Sequence, residues 1–409
     1  MGREWDIVIF GATGFTGKQC ATYLADNAPA ELKLALAGRN KESLDALVKG
    51  LGRPGTGVIV ADVTEPESIV AMAASTRVVA TTVGPYALYG SGLVAACVAH
   101  QTHYCDITGE TPWVRDMIDA HHEQARASGT RIVPLCGFDS VPADLGTWAL
   151  VQHAKRVFGE APKRVKGWYR LKGGLNGGTL ASALNLNASK EVRRLARPFL
   201  LSPGYEASAE EMAESKDPRQ VVQDPHWGWC TPFFMGAVNT RAVRRSAYLL
   251  SGESEAYGAE FTYQEYMGSG RGRSRFKAQR DLAILGLILG TMSTGWGRAL
   301  LKTFGPKPGR GPSQKTIVGG AFTLDLVAES ASGETLWASV RGQGDPGNAV
   351  TITCLAESAL CLALDRERLD ARGGGVLTPA AAFGGVLLER LAGTLLTIEV
   401  GVSAPHTRA

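Results

Sequence analysis

A chain of 409 residues exceeds what one ordinary hydrophobic core organises, and its length points to two domains. With 44% hydrophobic and 20% charged residues and a net charge of +4, it has a globular composition and lacks the basic, aromatic-interleaved stripe of a nucleic-acid binder. Its seven cysteines are odd in number and lie in apolar runs without a Cys-x-x-Cys pair, which argues against a disulfide framework and for a reduced, cytoplasmic setting. The first ten residues show no cleavage signature, so a signal peptide is not expected.

Over the first third, short β-branched runs alternate with helical patterns. Strands are predicted at 6–10, 33–37, 58–61, 78–83, 103–107 and 131–135, and helices at 14–27, 41–51, 66–74, 92–101 and 112–128. This rhythm predicts an α/β fold: a Rossmann-type doubly wound parallel sheet over 1–150. From 151 to 345 it gives way to an α+β domain with a largely antiparallel sheet, assigned to substrate and dimerisation. There the predicted strands are 165–171, 246–250, 259–263, 321–328 and 335–340, with a helix at 179–197 and a long loop at 202–232. Apolar helices at 349–364 and 379–392 close the chain, in a C-terminal segment (346–409) expected to return to the first domain.

The chemistry concentrates where strands end. After the first strand comes Gly11-Ala12-Thr13-Gly14-Phe15-Thr16-Gly17, a Gly-x-x-Gly-x-x-Gly turn opening a helix. Glycine allows a positive φ and a close backbone approach to a pyrophosphate, which the free N–H groups and dipole of the helix N-terminus then hold. The second strand ends in Ala37-Gly38-Arg39-Asn40, with none of the acid that usually receives the ribose hydroxyls of NAD. Arg39 can instead pair with a 2′-phosphate, unless it is simply a solvated surface residue. Asp62 is placed either at the adenine edge or as a helix cap before Pro66. Val83-Gly84-Pro85-Tyr86 ends the fourth strand and should face the nicotinamide. The polar runs 103–110 and 137–142 end the fifth and sixth, and together they predict a functional cleft.

Several site types are missing from the sequence: Tyr-x-x-x-Lys, His-Glu-x-x-His, Gly-x-Ser-x-Gly and any paired Cys/His spacing, so no metal is expected. Tyr86, Tyr104 and Asp106, with His103, are candidate proton donors; each could equally be a packing or orienting residue. His121 and His122, on a charged helix, are expected to face solvent.

These segments make the chain resemble the saccharopine-dehydrogenase-like family, and within it the trans-acting enoyl reductases of actinobacterial lipid synthesis. The likeness extends through 177–179 (Gly-Gly-Thr), 344–347 (Gly-Asp-Pro-Gly) and 374–379 (Gly-Gly-Val-Leu-Thr-Pro). It implies NADPH-dependent reduction of an enoyl group on a hydrophobic acyl substrate held by a carrier protein. An amino-acid dehydrogenase acting on a C–N bond, or a silent NADP-binding adaptor, are the alternatives. A second domain lined by apolar and aromatic groups would favour the first reading, and inward arginines the second.

One further segment, 271–298, joins a basic stretch to an uncharged, mostly aliphatic run, 282–297, of 16 residues. That is short of the roughly 20 needed to span a bilayer. It is expected either to pack on its own core or a homodimer partner, or to make a peripheral contact on the inner face of the plasma membrane.

Overall fold

The computed structural model describes residues 2–174, 182, 184, 190–268, 274–304 and 311–404. The first half follows the βα rhythm of the sequence. In chain order it runs β1 (Trp5–Phe10), α1 (Phe15–Asn27), β2 (Leu34–Gly38), α2 (Lys41–Leu51), β3 (Gly57–Val60), α3 (Pro66–Ser75) and β4 (Thr76–Thr81). It continues through α4 (Tyr86–Tyr89), α5 (Ser91–Ala99), β5 (His103–Asp106), α6 (Thr111–Ser128), β6 (Arg131–Val133) and α7 (Val141–Phe158). The strands are parallel in the order β3-β2-β1-β4-β5-β6, extended beyond β6 by a short strand from far down the chain, Gly375–Val376. Order reverses between β1 and β4, which places the ligand crevice beyond the carboxyl ends of these strands.

The second sheet holds β7 (Arg164–Lys172), β8 (Val222–Asp224), β9 (Gly228–Pro232), β10 (Thr262–Met267), β11 (Ala321–Glu329) and β12 (Thr335–Gln343). With β13 assigned to Gly375–Val376, it is completed by β14 (Leu396–Val400), in the order β14-β12-β11-β7-β10-β9-β8. Only β7 and β10 pair in parallel; the other neighbours are antiparallel. Its helices include α8 (Gly236–Leu249), α9 (Arg275–Ser293), α10 (Gly295–Phe304) and α11 (Thr351–Leu364).

Several expectations change here. The strand expected at 246–250 is the end of α8. The loop expected at 202–232 contains β8, β9 and the short helix Ala209–Glu214. The helix expected at 379–392 is broken into Pro379–Phe383 and Gly385–Leu391 by Gly384, at φ +47°. Most of the helix expected at 179–197 lies outside the described residues, and Lys190–Ala196 is a 3-10 helix. His122 is not solvent-facing: its Nδ1 accepts the Val376 N–H at 3.1 Å, pinning β13 against α6.

One apolar core runs through both sheets, joining Ile7 and Ile9 of β1 to Leu324 and Leu326 of β11 by way of α7 and α11. Almost every residue of α7 from Val141 to Val151 is buried, as a helix packed on all sides requires. Helix α11 leaves the second sheet and lies on α1, β4 and β5 of the first.

Candidate active site

The turn after β1 is anchored by the Gly11 and Ala12 N–H groups, which donate to the Ala37 carbonyl of β2 at 2.9 and 3.2 Å. Gly11 sits at φ +86°, and a Cβ there would lie 2.7 Å from Val83 Cγ2. At Gly17 a Cβ would lie 2.2 Å from the Gly11 carbonyl, so this glycine is what lets α1 close on the turn. Gly14 is the N-cap of α1, which has neither a side-chain cap nor an acid in its first turn. That leaves a cradle of backbone N–H groups beside Thr13, Phe15 and Thr16, and it fits a pyrophosphate.

Arg39 stands at the carboxyl end of β2 with its side chain 77% exposed, its Nε 4.0 Å from Asp62 Oδ2. Asp62 does not cap α3, whose N-cap is Glu65. Its Oδ1 accepts from the Thr64 N–H and hydroxyl, both at 2.9 Å, and these bonds hold its carboxyl below the usual range. The pair thus places a cation and a fixed carboxylate where a 2′-phosphorylated ribose and adenine would meet the sheet edge. Both suit NADP(H).

Beyond β4 the chain passes through Val83 to a cis Gly84–Pro85 bond and α4. Glu110 organises this loop. Its two carboxylate oxygens accept from the Tyr86 N–H at 2.9 Å and the Ala87 N–H at 3.0 Å, as an acid does at a helix N-terminus, and Ser182 Oγ adds 2.8 Å. Tyr86 is buried, its hydroxyl donating to the Thr81 carbonyl at 3.2 Å. Tyr104 is fully buried and donates to Asp106 Oδ2 at 2.6 Å. Asp106 Oδ1 accepts from Thr108 N and Leu135 N at 2.9 and 3.1 Å, and burial pushes its carboxyl up to about 7. Three of the sequence-chosen donors are therefore neighbours, but all are committed to protein partners and frame the crevice from behind. The fourth, His103, begins β5 at the far end of the strand. Its Nδ1 accepts from Arg131 N at 3.0 Å, and burial pushes it down to about 4.

One carboxylate at this sheet edge was not singled out from the sequence. Asp139 follows β6 in the 137–142 run, and its Oδ2 is 3.7 Å from where a Cβ on Gly109 would stand. Among the described residues no hydrogen-bond partner meets it; it is only partly open, and desolvation pushes its carboxyl up to about 6. Around it stand aromatic groups. Phe138 packs edge-on against Tyr169 and Phe322, with ring centres 6.1 and 4.8 Å apart, and Tyr169 stacks on Phe233 at 4.1 Å. Behind Tyr169, Glu265 accepts from Tyr263 at 2.6 Å and Asn239 at 3.0 Å, and burial pushes it up to about 8.

The buried cations of the second domain do not face this crevice. Arg241 is held by Asp217 and the Leu195 and Arg197 carbonyls, Arg244 by the Pro198 and Tyr263 carbonyls, and Arg245 by the Leu201 and Val376 carbonyls. Among the described residues no cluster of His, Cys, Asp or Glu could hold a metal ion.

Residues 7–133 match the saccharopine dehydrogenase NADP binding domain. The chain is 40% identical to a Mycobacterium tuberculosis (strain H37Rv) protein whose name places it among trans-acting enoyl reductases, over 99% of this chain and 98% of that one. It is 36% identical to the trans-acting enoyl reductase of Mycobacterium leprae, over 95% and 96% of the two chains. In structure it is similar to apo saccharopine dehydrogenase (L-Glu forming) from Saccharomyces cerevisiae, with a TM-score of 0.53 and 14% identity over 98% of this chain and all of that one. At that identity the likeness concerns the fold alone.

Proposed function

Because this chain belongs to the saccharopine-dehydrogenase-like family that includes the trans-acting enoyl reductases, and is an NADP-dependent oxidoreductase, we propose that it reduces the C=C bond of an α,β-unsaturated acyl thioester carried by a synthase or carrier protein. The observation that carries this reading is the aromatic packing beside Asp139. Phe138 meets Tyr169 and Tyr169 stacks on Phe233, while among the described residues the buried Arg241, Arg244 and Arg245, which could meet an amino-dicarboxylate, are tied to main-chain carbonyls.

NADPH, when bound, supplies the hydride. The chain's residues do the remainder. Gly11, Thr13, Gly14, Phe15, Thr16 and Gly17 hold the pyrophosphate, Arg39 and Asp62 the adenosine end, and Val83, Gly84 and Pro85 the nicotinamide side. Tyr86, Tyr104 and Asp106 position that loop. Asp139 holds the proton that C=C reduction consumes. A general acid works best with a pKa near the operating pH, and an acyl chain covering this carboxyl removes more water from it.

The test is loss of NADPH absorbance with an enoyl thioester, with the saturated product identified by mass. Oxidation of NADPH only by an amine with a 2-oxo acid would replace this reading with an amino-acid dehydrogenase. Tight NADPH binding without turnover of either substrate would leave an adaptor.

A further inference from the structure

Helix α9 is tied to the body of the protein at Ala278, whose carbonyl accepts from Thr231 Oγ1 at 3.1 Å, and its next buried residue is Met292. Between these points Ile284, Leu287, Ile288 and Leu289 are exposed, Leu287 by 73%. Helix α10 then turns away at 99° and adds Trp296, 69% exposed, and Leu300. Folded monomers rarely leave a contiguous apolar patch of more than a few hundred Å² uncovered.

Two observations say what covers it. Ile284, Leu287 and Ile288 share one face, but Leu289 stands about 100° round from Ile288 and residues 286–290 are all exposed, so the exposed surface is not confined to one stripe. A flat protein partner covers one stripe; a layer of acyl chains covers every side. The second observation is charge. Residues 266–324 carry ten lysines and arginines and a single acid, Asp281, which Arg280 neutralises at 2.8 Å. Arg275 and Lys277 lie at the root of α9, and Arg298 just past the bend. An exposed apolar stretch flanked by cations is what an anionic bilayer surface accepts. Neither helix spans by itself, since the charges of the first turns leave only 282–293 of α9 uncharged, against about 20 residues for a span, and the 99° bend turns α10 away from its axis.

We infer that the α9–α10 hairpin seats this protein on an anionic lipid surface, shallowly inserted, with the crevice opening toward it. The orientation follows from where the bend is anchored. Met292 and Leu301 pack on Leu184, two residues from Ser182, which bonds Glu110 behind the Gly84–Pro85 loop. On the enoyl-reductase reading, on which this consequence rests, the tail of a carrier-bound acyl chain then stays in lipid while its thioester end enters the crevice.

The experiment is flotation of the full chain with phosphatidylcholine vesicles, with and without phosphatidylglycerol, at low and high salt. The wild type should float with anionic vesicles at low salt, float less at high salt, and stay behind with neutral ones. Leu287→Ser combined with Ile288→Ser and Trp296→Ser, all exposed and harmless to folding, should abolish flotation. Lys277→Gln should weaken it about fivefold. No flotation by the wild type overturns the inference, as does equal flotation on neutral vesicles. So does a wild-type dimer in light scattering that the triple variant makes monomeric, since a second copy would then be the occupant. A short, water-soluble enoyl thioester assayed without vesicles keeps the two readings apart. The triple variant should turn it over like the wild type, whereas inactivity of both would count against the enoyl reading and leave the lipid result standing.

Discussion

Among the described residues Arg39 meets Asp62 at 4.0 Å, and its side chain is 77% exposed. A group so placed contributes little to folding and can contribute much to a phosphorylated ligand. Arg39→Ala should therefore weaken NADPH by about ten- to hundredfold, roughly 1.5–3 kcal/mol, and leave NADH nearly unchanged. Fluorescence titration of both cofactors checks this, and equal affinities in the unaltered protein would defeat it. Asp139 makes a different kind of prediction. Its carboxyl titrates near 6 in the folded chain against an ordinary 3.8, so the folded state binds that proton more tightly than the unfolded one. Stability from this group is complete at low pH, is lost as pH rises from about 4 to about 6, and is level above. After discounting for partial exposure, the loss is on the order of 1–2 kcal/mol. Asp139→Asn should thus be more stable than the wild type near pH 8 and no more stable near pH 4, while turnover falls and its alkaline decline disappears. Denaturant midpoints and a pH–rate profile measure both; a stability difference unchanged across pH would refute the assignment.

At the scale of elements, two glycines of one turn should fail differently. Gly14 has φ −70°, open to any residue, and its Cβ would meet only the Gly11 carbonyl, at 3.2 Å. Gly14→Val should keep the fold and lose NADPH binding, because the side chain fills the pyrophosphate's space. Gly17→Ala forces an atom to 2.2 Å from a backbone carbonyl and should cost about 1–3 kcal/mol of stability besides. Thermal melts with and without NADPH separate the two outcomes. This turn was legible in the sequence because strand, glycines and helix lie within a few residues of each other. The same holds for β1 to β6 of the first sheet, each a short apolar run bounded by turn residues, but not for β13, two residues brought in from far down the chain. The end of α8 was not legible. Its arginines at 241, 244 and 245 are buried by main-chain carbonyls, so charged residues occupy the face where an apolar period would be sought. The break at Gly384 is equally tertiary, since the Arg372 guanidinium stands where its Cβ would be. Asp139 was quoted in its motif, but only the fold shows it without a partner while Tyr104 and Asp106 satisfy each other.

For the whole molecule, the core shared between β1 and β11 through α7 and α11 predicts a single unfolding transition rather than two. Thiol labelling mapped by mass across a denaturant series can test it, because Cys20 and Cys105 are buried with the first sheet and Cys230 with the second. Their midpoints should coincide; separated midpoints would mean that the halves fold alone. The tail that makes this core also closes both sheets, with β13 beside β6 and β14 beside β12. On the ribosome, then, the chain must release residues 375–400 before either edge is covered. Until that moment the nascent protein carries two open rows of main-chain donors and acceptors and an α7 without its full surroundings. Final assembly therefore waits for residues 375–400, and a chaperone that shields β-edges until they emerge would raise the yield of soluble protein.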